Sequence, residues 1–384
     1  MTFSENTKTF FQSHLTPFYF YDIDLLKLTL QSAKSEIVKY ENFHIHYAMK
    51  ANVNKKILQY VNNYGFGADC VSGNEIIAAL EAGIAAEKIV FAGVGKTDSE
   101  ILVALENNIF CFNVESAQEL EVINSLASGL NKTAKIALRL NPNINALTHK
   151  YITTGTFDTK FGINNNELQL IFEKLADMKN VQIIGLHFHI GSQITDLSVF
   201  EELTFAINNS VSHFEQLGFN LQHINVGGGL GIDYQNPNEI PPFQQYFRIF
   251  AEKLQIRPAQ QVHFELGRSL VAQCGTLLTK VLYTKQGFKN QFVVVDAGFT
   301  ELLRPALYNA FHYIENISSK KEIVEYDVVG PICESSDVFG RNIPLNCTER
   351  GNLLAIRSVG AYGEVMSSRY NLRTPAIAYY SDEL

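Results

Sequence analysis

Eight short apolar or β-branched runs, each followed by a stretch with helical spacing, restrict this chain more than any other feature. The runs are 44–50 (HIHYAMK), 65–70 (GFGADC), 88–93 (KIVFAG), 109–114 (IFCFNV), 135–141 (KIALRLN), 182–190 (QIIGLHFHI), 223–229 (HINVGGG) and 261–267 (QVHFELG). Between them apolar residues recur at helical intervals, as in Ile76, Ala79 and Leu80 ahead of Gly83, or Leu168, Ile171, Phe172 and Leu175. Strand then helix, repeated, means a parallel sheet. Eight such units over about 220 residues match the size of a (β/α)8, TIM-like barrel, whose active sites lie at the carboxyl ends of the strands. An open doubly wound sheet would carry a dinucleotide fingerprint after its first strand, and AMKANVNKK contains no glycine. The α/β barrel is the expected fold.

After Gly267 the texture changes to closely spaced β-like runs at 276–283, 291–295, 324–329 and 352–358, with no long amphipathic helix between them. This predicts a C-terminal all-β domain. FYFYD at 18–22 has the same aromatic strand character and is expected to join it. The predicted division is a barrel over 24–269 and a β domain from 1–23 with 270–384.

The net charge of −8 and the absence of a basic stripe argue against a grip on nucleic acid or anionic lipid. The opening MTFSENTKTFF has no cationic start followed by an apolar run, so neither a secretory signal nor a membrane span is expected, and the cytoplasm is the predicted location. The five cysteines form no CxxC pair, which leaves no basis for a disulfide frame or a metal site.

The strand ends carry polar groups that a buried run does not need: Lys50, Asp69, Arg139 with Asn141, His187, His189, Gly227 to Gly229, and Glu265 with Arg268. Taken alone, Lys50 reads as a snorkelling surface lysine. At a barrel mouth it would be partly desolvated, which lowers its pKa and suits it to Schiff-base chemistry. GGGLG at 227–231 is either a tight turn or a place where backbone N–H groups approach a phosphate, and the loop after the seventh strand favours the phosphate. Glu265 and Arg268 read as a structural ion pair, or Glu265 as the acid that keeps a pyridine nitrogen protonated. His189 reads as a core histidine or as a flat ring stacked on an aromatic cofactor.

Together these residues resemble the fold-type III pyridoxal-phosphate decarboxylases, and within them the branch that acts on diaminopimelate. The resemblance runs from FYFYD near residue 20 to GAYGEVMSSRYN at 360–371, through YAMKAN (47–52), HFHIGSQ (187–193) and GGGLGIDY (227–234). It implies pyridoxal 5'-phosphate joined to Lys50 as a Schiff base, with His189 stacked on the ring and Glu265 at the pyridinium nitrogen. Ser192, Gly228, Gly229 and Tyr362 would lie at the phosphate, and Asp69 would be a site-facing acid. The segments ELGR (265–268), RPALY (304–308) and CESSD (333–337) imply that Arg268, Arg304, Tyr308, Glu334 and Tyr362 bind the substrate. Cys333 and Glu334 would enter the site from the neighbouring subunit of a homodimer, with Cys333 and Lys50 as candidate proton donors. Without the resemblance Cys333 reads as a buried small hydrophobe, Arg304 as a solvated loop residue and Tyr308 as a core aromatic.

Two departures from the family pattern stand out. Leu266 occupies the place of a usual proline in ELGR, and the chain stops soon after YNLRTPA. Neither removes a site residue. The implied reaction is decarboxylation of meso-2,6-diaminopimelate to L-lysine. The alternatives are a decarboxylase of arginine, ornithine or carboxynorspermidine, a racemase on a similar barrel, a cofactor-free Schiff-base aldolase, and a non-catalytic regulatory relative.

Overall fold

The expected parallel barrel is present in the computed structural model, which describes residues 3–142, 144 and 160–384. The first strand of the chain, β1 (Phe18–Tyr21), belongs to a separate sheet. The next eight are β2 (Phe43–Ala48), β3 (Gly67–Cys70), β4 (Ile89–Phe91), β5 (Cys111–Val114), β6 (Ala134–Arg139), β7 (Val181–His187), β8 (His223–Asn225) and β9 (Gln261–Phe264). Each pairs in parallel with the next, and β9 returns to β2 with Phe43 opposite Val262 and Ile45 opposite Phe264, so no edge is left open.

The strands are shorter than the apolar runs predicted. The ladder stops at Ala48, His187, Asn225 and Phe264, whereas the runs continued to 50, 190, 229 and 267. The residues beyond need conformations that a strand cannot supply. Lys50 sits in a 3₁₀ turn, Met49–Ala51, and Gly191, Gly227 and Gly229 have φ of 147°, 72° and 104°. The helices between the strands start at side-chain caps: Ser72 accepts from the amide of Glu75, Ser116 from that of Glu119, and Thr97 forms a reciprocal box with Glu100.

Outward-facing strand residues meet the helices in an apolar layer. Phe264 at the end of β9 packs its ring 5.0–5.8 Å from Tyr246, Phe247 and Phe250 of the helix Phe243–Lys253. The lumen is different. Asn113 of β5 donates to Glu265, just past β9, at 3.1 Å, and those two strands stand opposite each other in the ring, so the bond crosses the interior.

Nearer the amino-terminal end of the barrel lie three buried histidines, His46, His223 and His263. His46 Nδ1 donates to the Lys88 carbonyl at 3.0 Å, so its Nε2 is the acceptor, at 2.7 Å, for the proton on His263 Nδ1. His223 packs its ring 4.0 Å from that of His263, and neither of its nitrogens has a hydrogen-bond partner among the described residues. Burial holds all three neutral, lowering His46 to about 4 and the other two well below the ordinary range.

The second unit comprises the chain up to Thr29, Ile232–Pro241 and Arg268–Leu384, the barrel unit being Leu30–Gly231 with Pro242–Gly267. Its strands are β1, β10 (Gly275–Gln286), β11 (Gln291–Val295), β12 (Ile314–Asn316), β13 (Ile323–Val329), β14 (Val338–Asn346), β15 (Leu353–Arg357) and β16 (Ile377–Tyr380). They run in the order β12-β15-β10-β11-β13-β14, and β1 joins β10 antiparallel and β16 parallel. Phe11, Phe18, Phe20, Leu278, Leu353 and Ala355 form one of its buried clusters. The aromatic run at 18–21 is therefore a strand of this sheet, as expected. Strands β12, β14 and β16 were not legible: two are very short, and β14 is an edge strand that carries Gly340 and Pro344.

The histidine layer generates a prediction. An imidazole kept neutral in the fold but free to protonate in the unfolded chain gives its full stability above its unfolded pKa of 6.5 and loses it as pH falls below. His223→Leu removes such a group without removing a protein hydrogen bond. At pH 7.5 its urea stability should stay within about 1.5 kcal/mol of the parent. Below pH 6.5 the variant should gain on the parent by up to about 1.4 kcal/mol per pH unit. Parallel pH profiles for the two proteins would contradict this.

Candidate active site

The turn that carries Lys50 is fixed from both sides. Tyr47 Oη donates to the Asn52 carbonyl at 2.8 Å, and the Asn52 amide donates back to Met49 O at 3.1 Å. Asn52 Oδ1 then accepts from the Asn54 amide, and Asn54 caps the helix Lys55–Asn63. Lys50 thus leaves the rim with a half-exposed side chain, its Nζ 3.8 Å from Oδ2 of the fully buried Asp69. Burial, together with the charge of Glu265, pushes the Asp69 carboxyl well above the usual carboxylate range, against the pull of Lys50. Its surroundings therefore favour the protonated form of Asp69 more than an exposed carboxyl would experience.

Glu265 has the opposite character. It is buried, yet Oε1 accepts from Asn225 Nδ2 at 2.7 Å and from Asn113 Nδ2 at 3.1 Å, and Oε2 accepts from His187 Nε2 at 3.1 Å. Burial alone would raise its pKa. The His187 contact, with His189 and Lys50 further off, outweighs that and holds the carboxyl well below the usual range. A charge-assisted set of three donors fixes both its ionisation and its direction. His189, partly buried, is held well below the ordinary imidazole range by burial and by Lys50 and Arg139, so it presents a neutral ring. Arg139 is paired with Glu115 at 2.5 Å and lies over the ring of Phe161 at 4.7 Å, with the half-buried Asn141 two residues on.

Between these groups runs the glycine loop. At Gly227 the backbone is left-handed and a Cβ would stand 2.3 Å from the Phe188 carbonyl; at Gly228 it would stand 2.0 Å from that of Glu265. Only glycine fits either place. The loop is tied down by Glu265 N to Gly227 O at 2.9 Å, Gly227 N to Asn225 Oδ1 at 2.9 Å, and Ile194 N to Gly229 O at 2.9 Å. The last bond brings the segment holding Ser192 alongside. The barrel unit therefore assembles Lys50, Asp69, His189, Ser192, Gly228, Gly229 and Glu265 on one rim.

The sheet unit carries the other predicted residues. Arg268 and Arg304 are both buried, and both Nη1 atoms donate to the phenol oxygen of Tyr234, at 2.7 and 2.9 Å. Arg268 lies 4.9 Å over the ring of Tyr362, and Arg304 also donates to His312 Nε2 at 2.7 Å. Arg304 is thus a buried helix residue and not a solvated loop residue. Tyr308 ends the same short helix, half-buried rather than in the core. Cys333 is exposed, contrary to the reading of a buried hydrophobe, and so is Glu334. Their loop is pinned by the buried Asp337, which accepts from the amides of Phe299 and Ile332 at 2.7 Å each.

In the contacts of Glu265, Arg268 and Arg304, four residues had no predicted role: Asn113, Asn225, Tyr234 and His312. The first two were findable, since Cys111 with Asn113, and His223 with Asn225, alternate toward the lumen at the strand period of two. Tyr234 closes the GGGLGIDY segment, but nothing local shows that two distant arginines converge on it.

Residues 26–272 match the family model for the pyridoxal binding domain of the pyridoxal-dependent decarboxylases. Over 376 residues the chain is 54% identical to the diaminopimelate decarboxylase of Bacteroides thetaiotaomicron, covering 97% of each chain. It is 40% identical to that of Aquifex aeolicus over 95% of this chain and 86% of the other. A crystal structure of Helicobacter pylori diaminopimelate decarboxylase complexed with L-lysine superposes with a TM-score of 0.92 at 41% identity, over 99% of this chain and 95% of that one.

The lumen contacts lead to a test that needs no ligand. Asn225→Asp replaces a donor to Glu265 with a second carboxylate in a buried site. It should cost roughly 2–4 kcal/mol at pH 8, where both acids are charged, and less at pH 5.5, where the pair can share a proton. Urea midpoints at the two pH values check this; equal losses at both would contradict it.

Proposed function

The chain belongs to the pyridoxal-dependent decarboxylases and, within them, to the diaminopimelate decarboxylases; from that premise we propose how its residues divide the work of converting meso-2,6-diaminopimelate to L-lysine and carbon dioxide. The observation that carries the reading is the common rim of the barrel unit, where an amine, a buried anion and a glycine cradle lie together. The fit to pyridoxal phosphate rests on two facts. Glu265 is an anion with three donors behind it, and the 227–229 backbone sits where no side chain could.

In this reading Lys50 would hold the cofactor through its ε-amine, and Asp69, whose carboxyl is shifted toward the protonated form, faces that amine at 3.8 Å. The amides of Gly228 and Gly229, with Ser192 and Tyr362, take the phosphate. His189, a neutral aromatic, would lie against the cofactor's ring and orient it without adding charge. Glu265 holds a proton at the ring nitrogen. When bound, the cofactor supplies the sink for the electrons that the departing carboxylate leaves behind.

Arg268 and Arg304, with Tyr308 and Glu334, hold the distal end of the substrate, the two guanidinia suiting its carboxylate. Fixing that end orients the reacting carboxylate, and orientation lowers the barrier by removing the entropy of alignment. Lys50 and Cys333 are the groups available to return a proton to carbon.

The protein works, in this reading, as a homodimer in which each copy lends Cys333 and Glu334 to the other. Both residues are exposed, and a groove of about 450 Å³ lined by Pro305, Phe311, Ser336 and Phe339 joins their loop to the segment after Arg304. We read the barrel as the cofactor domain and the sheet as the β domain, with the expected bounds of 24–269 and of 1–23 with 270–384 adjusted so that 24–29, Ile232–Pro241 and 268–269 go with the sheet. A cytoplasmic location suits a charged, freely diffusing substrate. Among the described residues no helix is long and apolar enough to cross a membrane, and no cluster could hold a metal ion.

The test is an assay of purified protein with pyridoxal phosphate and meso-diaminopimelate, scored for lysine. Lys50→Ala should lose both the visible absorbance of the bound cofactor and turnover, by at least about a thousandfold in rate. Carbon dioxide release at the normal rate in that variant would sink the assignment of Lys50. Activity on arginine but not on diaminopimelate would overturn the substrate.

A further inference from the structure

Two buried guanidinium groups repel each other, and each needs acceptors for donors that water no longer reaches. In the sheet unit Arg268 and Arg304 share one: the phenol oxygen of Tyr234, at 2.7 and 2.9 Å from their Nη1 atoms. Each arginine also has its own brace. Arg268 lies over Tyr362, 4.9 Å from the ring centre, while Arg304 lies 5.2 Å from the ring of Tyr234 and donates to His312. His312 can only accept from an arginine, so its proton is on Nδ1, which donates to the Arg357 carbonyl at 2.8 Å. Burial and Arg304 keep that imidazole well below its ordinary range, so it adds no third positive charge.

We propose that Tyr234 is a specificity-determining positioning residue, whose oxygen holds Arg268 and Arg304 together as one carboxylate-sized pair that selects a substrate with an anionic distal end. This rests on the reading above, in which those two arginines take the distal carboxylate. The shared oxygen does for the free protein part of what a carboxylate does on binding. It screens the two charges from each other and stops them from swinging apart. A substrate whose far end is an amine would instead meet two fixed cations, a repulsive element that discriminates against diamine-forming substrates. Burial disfavours ionisation of the Tyr234 phenol, but Arg268 and Arg304 outweigh it and lower its pKa, which reflects how strongly both guanidinia act on that oxygen.

The experiment uses holoenzyme, Tyr234→Phe, and two competitive inhibitors: L-lysine, which keeps the carboxylate end, and cadaverine, which lacks it. Losing one hydrogen-bond acceptor shared by two charges should raise KM for meso-diaminopimelate roughly 10- to 100-fold. The kcat should stay within about 3-fold. Inhibition by L-lysine should weaken by the same factor as KM, while inhibition by cadaverine and the absorbance of the bound cofactor stay unchanged. His312→Gln, which alters the other brace of Arg304, should give the same split with a smaller factor. An unchanged KM in Tyr234→Phe overturns the proposal, as does an equal loss for both inhibitors, which would mark a merely structural role. If the parent enzyme itself binds cadaverine as well as L-lysine, the assignment of the arginines fails, and the proposal with it. A parent that prefers L-lysine while neither variant shows the split removes Tyr234 alone.

Discussion

A carboxylate inside a closed barrel is the constraint on which the site depends. Glu265 stands just past the end of β9 with Asn113, Asn225 and His187 as donors, one of them reaching across the lumen from the opposite strand. An uncompensated charge there would cost far more than the marginal stability of a domain allows, and the group would simply protonate. Three donors remove that option. Because they sit on three separate strands, the ring must close in register before the charge is satisfied, which links the geometry of the rim to the integrity of the ladder. Asp69, on β3, has no such set of donors among the described residues, and burial shifts its carboxyl the other way, well above the usual range. Two acids of similar chemistry on one rim are thereby shifted in opposite directions by their surroundings.

The barrel was legible because its signal is redundant: eight apolar runs, each with a helix after it, leave little else that a chain can do. Strand ends were less legible. A run such as HINVGGG is apolar throughout, and nothing in its hydrophobicity says that pairing ends at Asn225 because Gly227 turns left-handed. The residues on the rim could be picked out as polar groups at the ends of buried runs, and the family resemblance supplied roles for them. What could not be read was the set of partners behind them. The period of two puts Asn113 and Asn225 on the lumen face, but only the closed ring shows that both meet Glu265. Tyr234 depends on contacts with segments 34 and 70 positions away, and His312 bridges Arg304, 8 positions away, to Arg357, 45 positions away.

The sheet unit obeys a different economy. Its predicted site residues lie on short pieces, a five-residue helix at Arg304–Tyr308 and a loop at 333–337, which have little stability of their own. They are held by buried polar anchors instead: Asp337 for the loop, and Tyr234 and His312 for Arg304. Such anchors are directional, so they fix where a side chain points as well as where the backbone runs.

That unit is also discontinuous in the chain. Its strand β1, near the amino terminus, pairs with β10 on one side and with β16, near the opposite end, on the other. During synthesis the aromatic segment at 18–21 therefore emerges long before either neighbour exists, and the barrel can complete its ring while that segment still waits. A nascent chain thus spends most of its elongation with an apolar strand unpaired, which is the kind of edge that recruits other chains. The order of translation, rather than the strength of any contact, sets how long that exposure lasts.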